Sequence, residues 1–243
     1  MPQDLTTKIA IVTGAARGLG AAQVEALILE GATVFATDLG AFEEAPERNE
    51  PRLIQRSHDV TNEEQWHELS KEVLDRHGRI DILVNNAGYF QPGTVEETTG
   101  DLMDIHYRVN QLGTFFGIAA VIPAMKEQGS GSIINISSLA GMRGVGGQFA
   151  YAASKWASRG MTKCAASDLG RYGIRVNSVH PGMIDTPMLR RNTPDMLGKL
   201  SSLIPSGHFG QPSDVAKVVA FLASDASAYM NGAELTVDAG AGL

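Results

Sequence analysis

The chain has 243 residues, 43% of them hydrophobic and 19% charged, a balance that excludes a disordered polypeptide and fits a globular protein with a substantial core. Its formal net charge of −7 counts against a nucleic-acid partner, because phosphate-backbone binding needs a basic patch and none is visible. No apolar run reaches a membrane-spanning length, and MPQDLTTKIA lacks the basic and apolar blocks of a secretory signal, so no membrane partner and a cytoplasmic location are expected.

Short β-rich runs alternate with longer helical patterns along the chain. KIAIV comes first, followed by a helix to Glu30; then come ATVFAT, RLIQRS with a helix through Trp66 and Leu74, RIDILV, SIINIS, IRVNSV and ELTV. This alternation predicts an α/β fold, a doubly wound parallel sheet of about seven strands with helices on both faces. The apolar runs Ile9 to Val12 and Ile82 to Val84 suit central strands covered on both sides. Phe42 to Pro51 carries four glutamates and two prolines and reads as an exposed connection. Nothing resembles an interdomain linker, so residues 1–243 are read as a single domain.

Between the first strand and its helix lies Thr13-Gly14-Ala15-Ala16-Arg17-Gly18-Leu19-Gly20. Glycine permits a tight turn and lets backbone approach a pyrophosphate, while a helix N-terminus offers unpaired N–H groups to the anion. That placement makes the sheet Rossmann-type and its ligand a dinucleotide. Asp38, at the end of ATVFAT, stands where an acid would meet the adenosine ribose, accepting from a 2′-hydroxyl and repelling a 2′-phosphate. Arg17 could pair with such a phosphate, but Leu39 and Gly40 follow Asp38 with no basic side chain beside it, which favours NAD over NADP.

Tyr151 and Lys155 lie four apart in a stretch of good helix formers, which puts the phenol and the ammonium on one helix face, about 6 Å apart along the axis. In a cleft, the lysine would lower the phenol's pKa and favour tyrosinate. Ser138 follows SIINIS at the carboxyl end of its strand, where open α/β sheets form their ligand crevice, and Asn85-Asn86-Ala87-Gly88 follows RIDILV at the same edge. Asn110 sits in RVNQLGTFFG.

Taken together, TGAARGLG, NNAG, Asn110, Ser138, YAASK and HPG at 180–182 resemble the short-chain dehydrogenase/reductase family, from Lys8 to Asp238. The spacing T-G-x-x-x-G-x-G is that of its compact members, and the ISS, YxASK, RVNSVHPGM and TPM segments are most similar to bacterial 3α(20β)-hydroxysteroid and secondary-alcohol dehydrogenases. The resemblance implies that Tyr151 is the general acid/base and that Ser138 polarises the alcohol oxygen. It implies further that Lys155 holds the nicotinamide ribose and lowers the tyrosine pKa, and that Asn110 anchors a water for proton relay. It assigns Gly14, Arg17 and Leu19 to the pyrophosphate, Asp38 to the ribose, Asp59 and Val60 to adenine, Asn86 to the adjoining ribose, and Ile184 and Thr186 to the carboxamide end. Without the family, Asp59 and Thr186 read as helix-capping residues. The tail VDAGAGL departs from the two glycines usual after the aspartate, which puts its packing in question.

Leu139, Met142, Phe149, Met183, Met188 and Leu189, with Tyr89 and Phe90, are candidates for an apolar pocket suited to a small hydrophobic alcohol or ketone. Thr186 to Pro205 reads as a mobile cover, and Arg190 and Arg191 as surface charge. LGTFFGIAAVIPAM and the Tyr151 helix are apolar around much of their circumference, as a homotetramer built on these helices would require. Cys164 reads as a buried core residue, His180 as structural, and the six histidines show no metal-ligand spacing. A 3-oxoacyl carrier-protein reductase shares the Asn, Ser, Tyr and Lys set but usually needs NADP and a basic docking surface. A non-catalytic nucleotide-binding scaffold would have no chemical need for that set.

Overall fold

The computed structural model describes residues 4–40, 42, 50–191 and 193–243. In chain order its elements are β1 (Ile9–Thr13), α1 (Gly18–Leu29), β2 (Thr33–Asp38), β3 (Leu53–Ser57), α2 (Glu63–His77), β4 (Ile82–Asn85) and α3 (Gly100–His106). After a π-helical turn over Tyr107–Leu112 come α4 (Gly113–Gln128), β5 (Gly131–Ile136), α5 (Phe149–Leu169), β6 (Ile174–Pro181), α6 (Pro194–Ser202), α7 (Pro212–Ala223) and β7 (Glu234–Val237). All the strands expected from the sequence form. Most of the acidic connection, residues 43–49, lies outside the described residues.

The strands make one parallel sheet in the order β3-β2-β1-β4-β5-β6-β7. The order reverses between β1 and β4, so connections leave in opposite directions and open a crevice at the carboxyl ends of those strands. Successive residues of a strand face opposite sides, so the central apolar runs feed two cores. Val12, Val34, Val84 and Ile134 pack under α1 and α7, whereas Ile11, Phe35, Leu83 and Ile133 pack with Trp66, Val121 and Met125 from α2 and α4. The doubly wound α/β fold is therefore as expected.

A buried polar chain ties α5 to this sheet. The Asn85 amide donates to Asn135 Oδ1 at 2.9 Å, and the Asn135 amide donates to Thr162 Oγ1 at 2.9 Å. Each group is buried, so an unpaired partner would cost about 1–3 kcal/mol, and this penalty anchors α5 over β5 and β6. The buried stripe of α5 runs through Ala150, Ser154, Ser158, Thr162 and Ala166. Cys164 falls halfway round the helix from that stripe and is exposed, which corrects the expectation of a buried cysteine.

The tail departs from the expected glycine pair at Ala239, whose φ of 51° lies in the left-handed region that disfavours a Cβ. Asp238 nonetheless organises the tail, its carboxylate accepting from the N–H groups of Gly240 at 3.1 Å and Gly242 at 2.8 Å. Ala239→Gly is expected to raise stability by about 1 kcal/mol, because relief of backbone strain exceeds the entropy that glycine adds to the unfolded chain. An unchanged or lower urea midpoint would contradict that account.

Candidate active site

At the point where the sheet order reverses, the turns after β1 and β4 bind each other. The Thr13 hydroxyl accepts from the N–H groups of Asn86 and Ala87, both at 3.0 Å. The Asn86 amide returns two bonds, to the carbonyls of Thr13 at 2.9 Å and Gly14 at 3.0 Å. Gly14 takes a φ of 62°, and a Cβ there would lie 2.7 Å from Ala87 Cα. At Gly20 a Cβ would collide with the Gly14 carbonyl oxygen, so glycine is required for the turn to close onto α1. Arg17 caps α1 with extended backbone and makes no side-chain cap, which leaves the first-turn N–H groups to a ligand.

Asp38 is held at the far end of the same crevice. Its Oδ2 accepts from Ala16 N–H and its Oδ1 from Gly40 N–H, both at 2.9 Å, so the carboxylate is aimed before any ligand arrives. Asp59 Oδ1 accepts from the Thr61 N–H at 2.9 Å and hydroxyl at 2.8 Å, while Asn62 caps α2. His58, beneath this end, is pushed down to about 4 by burial and so stays neutral. The crevice has a volume of about 440 Å³ and runs from Asp38, Asp59 and Val60 past Gly14, Arg17, Leu19 and Asn86 to Thr186, Tyr151 and Lys155. Anion-binding N–H groups in the middle and a fixed carboxylate at one end fit a dinucleotide lying along it.

Ile184 stands apart from the other residues expected to hold the dinucleotide. Its side chain packs into the core against Gly210, and the crevice wall there is Thr186, Pro187 and Met188. Thr186 Oγ1 also accepts from Leu189 N–H at 3.4 Å, so it starts the turn over Leu189–Arg191 as well as facing the crevice. Arg190 pairs with Asp185 at 2.7 Å on the surface, as a solvated charge should, and the side chain of Arg191 lies outside the described residues. The segment expected to be a loose cover contains α6.

The reactive end is built by α5 and the strand ends beneath it. Lys155 is 5% exposed, and its Nζ donates to the Ile136 carbonyl at 2.9 Å. Burial lowers its pKa to about 8. Nζ lies 5.7 Å from the Tyr151 ring centre. The phenol differs from the expectation, since burial pushes its pKa up from 10.0 and the hydrogen bond with Ser138, not the lysine, pulls it back. The cause is desolvation, which penalises phenolate more than the partners within the chain offset. Ser138 is itself fixed by His180, whose Nδ1 donates to the Ser138 carbonyl at 3.1 Å while its Nε2 accepts from Ser178 Oγ at 2.8 Å. His180 is thus structural, as its sequence context suggests.

Asn110 lies in the π-helical turn and is 1% exposed. Its Oδ1 accepts from Tyr89 N–H at 2.8 Å, and its amide donates to the Tyr89 carbonyl at 3.0 Å and to Ser154 Oγ at 2.8 Å. A Cβ on Gly88 would be 3.5 Å from both Asn110 Oδ1 and Lys155 Nζ, so the two side chains meet behind that glycine. With every side-chain atom committed, a relay water would be held by the Asn110 carbonyl, which the Thr114 hydroxyl already reaches at 2.9 Å.

The apolar candidates divide. Phe90 packs edge-on to Tyr151 at 4.9 Å between ring centres, and Tyr89 and Met188 line the crevice. Leu139 and Met183 instead join Ile204, Phe209 and Ala241 in a small cluster under the tail. Sequence reading missed His106, which reaches both Tyr89 and Tyr151, although its place one helical turn before Asn110 was a signal. A second cavity, of about 470 Å³, lies at the opposite ends of the strands, and its Asp81 and Arg175 are paired within the chain. Among the described residues no group of His, Cys, Asp and Glu could hold a metal ion, and no helix is long and apolar enough to cross a membrane.

Residues 14–242 match a family model described as enoyl-(acyl carrier protein) reductase. The chain is 40% identical over 246 residues to trans-4-hydroxycyclohexanecarboxylate dehydrogenase of Sinomonas cyclohexanicum, covering 96% of this chain and 92% of that protein. It is 41% identical over 244 residues to 3-alpha-(or 20-beta)-hydroxysteroid dehydrogenase of Mycobacterium tuberculosis strain ATCC 25618 / H37Rv, covering 99% and 91%. The crystal structure of levodione reductase superposes with a TM-score of 0.91 at 33% identity, covering 98% of each chain. Likeness in sequence and backbone thus runs through the glycine turn, the sheet and the tyrosine helix alike, and the chain belongs to the short-chain dehydrogenase/reductase family, nicotinamide-dependent enzymes that oxidise alcohols and reduce ketones.

Proposed function

We propose that the protein moves a hydride between NAD(H) and a hydrophobic secondary alcohol or its ketone, with a cyclic alcohol or hydroxysteroid as the substrate class. The carrying observation is the convergence of Tyr151, Lys155 and Ser138 at one end of a crevice whose other end is a fixed Asp38. Bound NAD would supply the hydride acceptor. Tyr151 takes the hydroxyl proton in oxidation and returns it in reduction, within the hydrogen bond that it shares with Ser138. Ser138 orients the reacting oxygen, and Lys155 presents its ammonium to the ribose side of the crevice. Asn110 holds the turn behind them and offers its carbonyl to a water.

Gly14, Arg17, Leu19, Asp38, Asp59, Val60, Asn86 and Thr186 would hold the dinucleotide, with Ile184 contributing backbone only. The wall formed by Tyr89 and Met188, with Phe90 packed against Tyr151, suits a ring with little charge, and two relatives are named for a hydroxylated cyclohexane and for hydroxysteroids. Phe115 and Trp156 are 52% and 46% exposed on α4 and α5, which supports a homotetramer formed through those helices. The chain works as one catalytic and dinucleotide-binding domain in the cytoplasm.

Cofactor choice rests on Asp38, beside which Leu39 is 73% exposed and offers no charge. Asp38→Asn keeps the shape of the strand end and removes its charge, so the NAD-to-NADP ratio of kcat/KM should fall by about tenfold or more. Turnover with both cofactors across cyclic, aryl and steroid alcohols tests the proposal. A preference for NAD on cyclic or steroid alcohols supports it; a wild-type preference for NADP on carrier-linked acyl substrates would overturn it.

A further inference from the structure

The Tyr151 ring is gripped from outside its own helix by two rings. Phe90 meets it edge-on at 4.9 Å and 83°, and the imidazole of His106 meets it at 6.2 Å and 69°. His106 is 1% exposed at the end of α3 and also packs edge-on to Tyr89 at 5.1 Å. Its hydrogen bonds define its form. Nδ1 lies 2.7 Å from the Leu102 carbonyl, which can only accept, so Nδ1 carries the proton. Nε2 is then a bare acceptor, and it takes the N–H of Gln91 at 3.4 Å.

His106 and Asn110 therefore act on the same segment from one helix face, a turn apart. Asn110 holds Tyr89 by both its backbone groups, and His106 holds Gln91 two residues on. Between those two anchors sits Phe90, the residue that presses on Tyr151. We propose that His106, as the neutral Nδ1–H tautomer, is a positioning residue that locks segment 89–91 and the Tyr151 ring into the geometry of proton transfer. This rests on the reading of Tyr151 as the acid/base. A shift of about 1 Å in a reacting group can cost about a hundredfold in rate, so a side chain that touches neither substrate nor cofactor can still govern kcat.

The groups that face Tyr151 are Ser138 from the turn after β5, Lys155 from its own helix, Phe90 from the turn after β4 and His106 from α3. Of these Ser138 lowers the phenol's pKa, and that bond depends on where the ring sits. Loss of His106 should therefore weaken it and move the acid limb of kcat for oxidation to higher pH.

The test compares His106→Phe, which keeps a ring and loses both polar bonds, with His106→Gln, whose carbonyl oxygen can accept from Gln91 N–H. Tyr151→Phe runs beside them as a control. For oxidation of a cyclic secondary alcohol, His106→Phe should lose about ten- to a hundredfold in kcat, with its acid limb displaced upward. NADH affinity, read by fluorescence, should stay within about twofold, because the change lies away from the dinucleotide. His106→Gln should recover most of the rate and the pH profile. If His106→Phe does not fold, His106→Asn, too short to reach Gln91, takes its place with the same expectation. Folded variants with wild-type kcat and pH profile beside an inactive Tyr151→Phe would overturn the role of His106 alone. A Tyr151→Phe enzyme that still turns over would remove the reading beneath it.

Discussion

Tyr151→Phe is expected to lower kcat by about a thousandfold, the usual scale for removing a positioned acid/base, while NADH affinity barely changes. Phenylalanine keeps the ring that packs against Phe90 and His106 and removes only the hydroxyl shared with Ser138. Because burial raises the phenol's pKa and Ser138 lowers it, the wild-type enzyme should oxidise alcohols faster as pH rises, and Ser138→Ala should move that limb to still higher pH. A Tyr151→Phe enzyme that lost rate and NADH binding together would point to a collapsed crevice instead of a missing proton carrier.

Lys155→Met should abolish most turnover and also stabilise the fold. The ammonium is 5% exposed and its pKa falls from 10.5 to about 8 through burial alone. With the folded value below the unfolded one, the native state binds fewer protons between about pH 8 and 10.5, so stability rises with pH across that window and is flat below it. At neutral pH the penalty is on the order of 3 kcal/mol, and losing the bond to the Ile136 carbonyl returns about 1 kcal/mol of it. Lys155→Met should thus gain about 2 kcal/mol at pH 7, and its stability should lack the rise between pH 8 and 10.5. Urea unfolding at neutral and alkaline pH reads both; a variant less stable than wild type at neutral pH would show that the lysine contributes to the fold more than its burial costs.

Such a cost falls at a position proposed to act on cofactor and substrate, and much of the proposed site is legible in the sequence. The glycine turn, the strand-end aspartate and the tyrosine and lysine four apart are local patterns, each set by a few neighbouring residues, and all reach one crevice. Sequence reading falters where a property depends on distant segments. Proximity suggests that Lys155 depresses the Tyr151 pKa; in the fold burial raises it, and Ser138 is the partner that lowers it. At Ile184 the sequence does not say whether side chain or backbone would serve; the side chain packs into the core beside Gly210. Cys164 sits among small residues that suggest burial, but the phase of α5, set by its polar anchor at Thr162, leaves it outside. His106 escapes notice because its partners, Gln91 and Tyr151, meet only when the turn after β4 folds against α5.

Hydride transfer itself is tested most directly by labelling. A cyclic secondary alcohol carrying deuterium on its carbinol carbon is incubated with the enzyme and NAD, and the reduced cofactor is isolated and weighed by mass spectrometry. One deuterium is expected on the nicotinamide ring of NADH and none in the solvent, with labelled NADH formed about a thousandfold more slowly when Tyr151→Phe replaces the wild-type enzyme. Ketone formed with the label in water, or with NAD left oxidised, would contradict it.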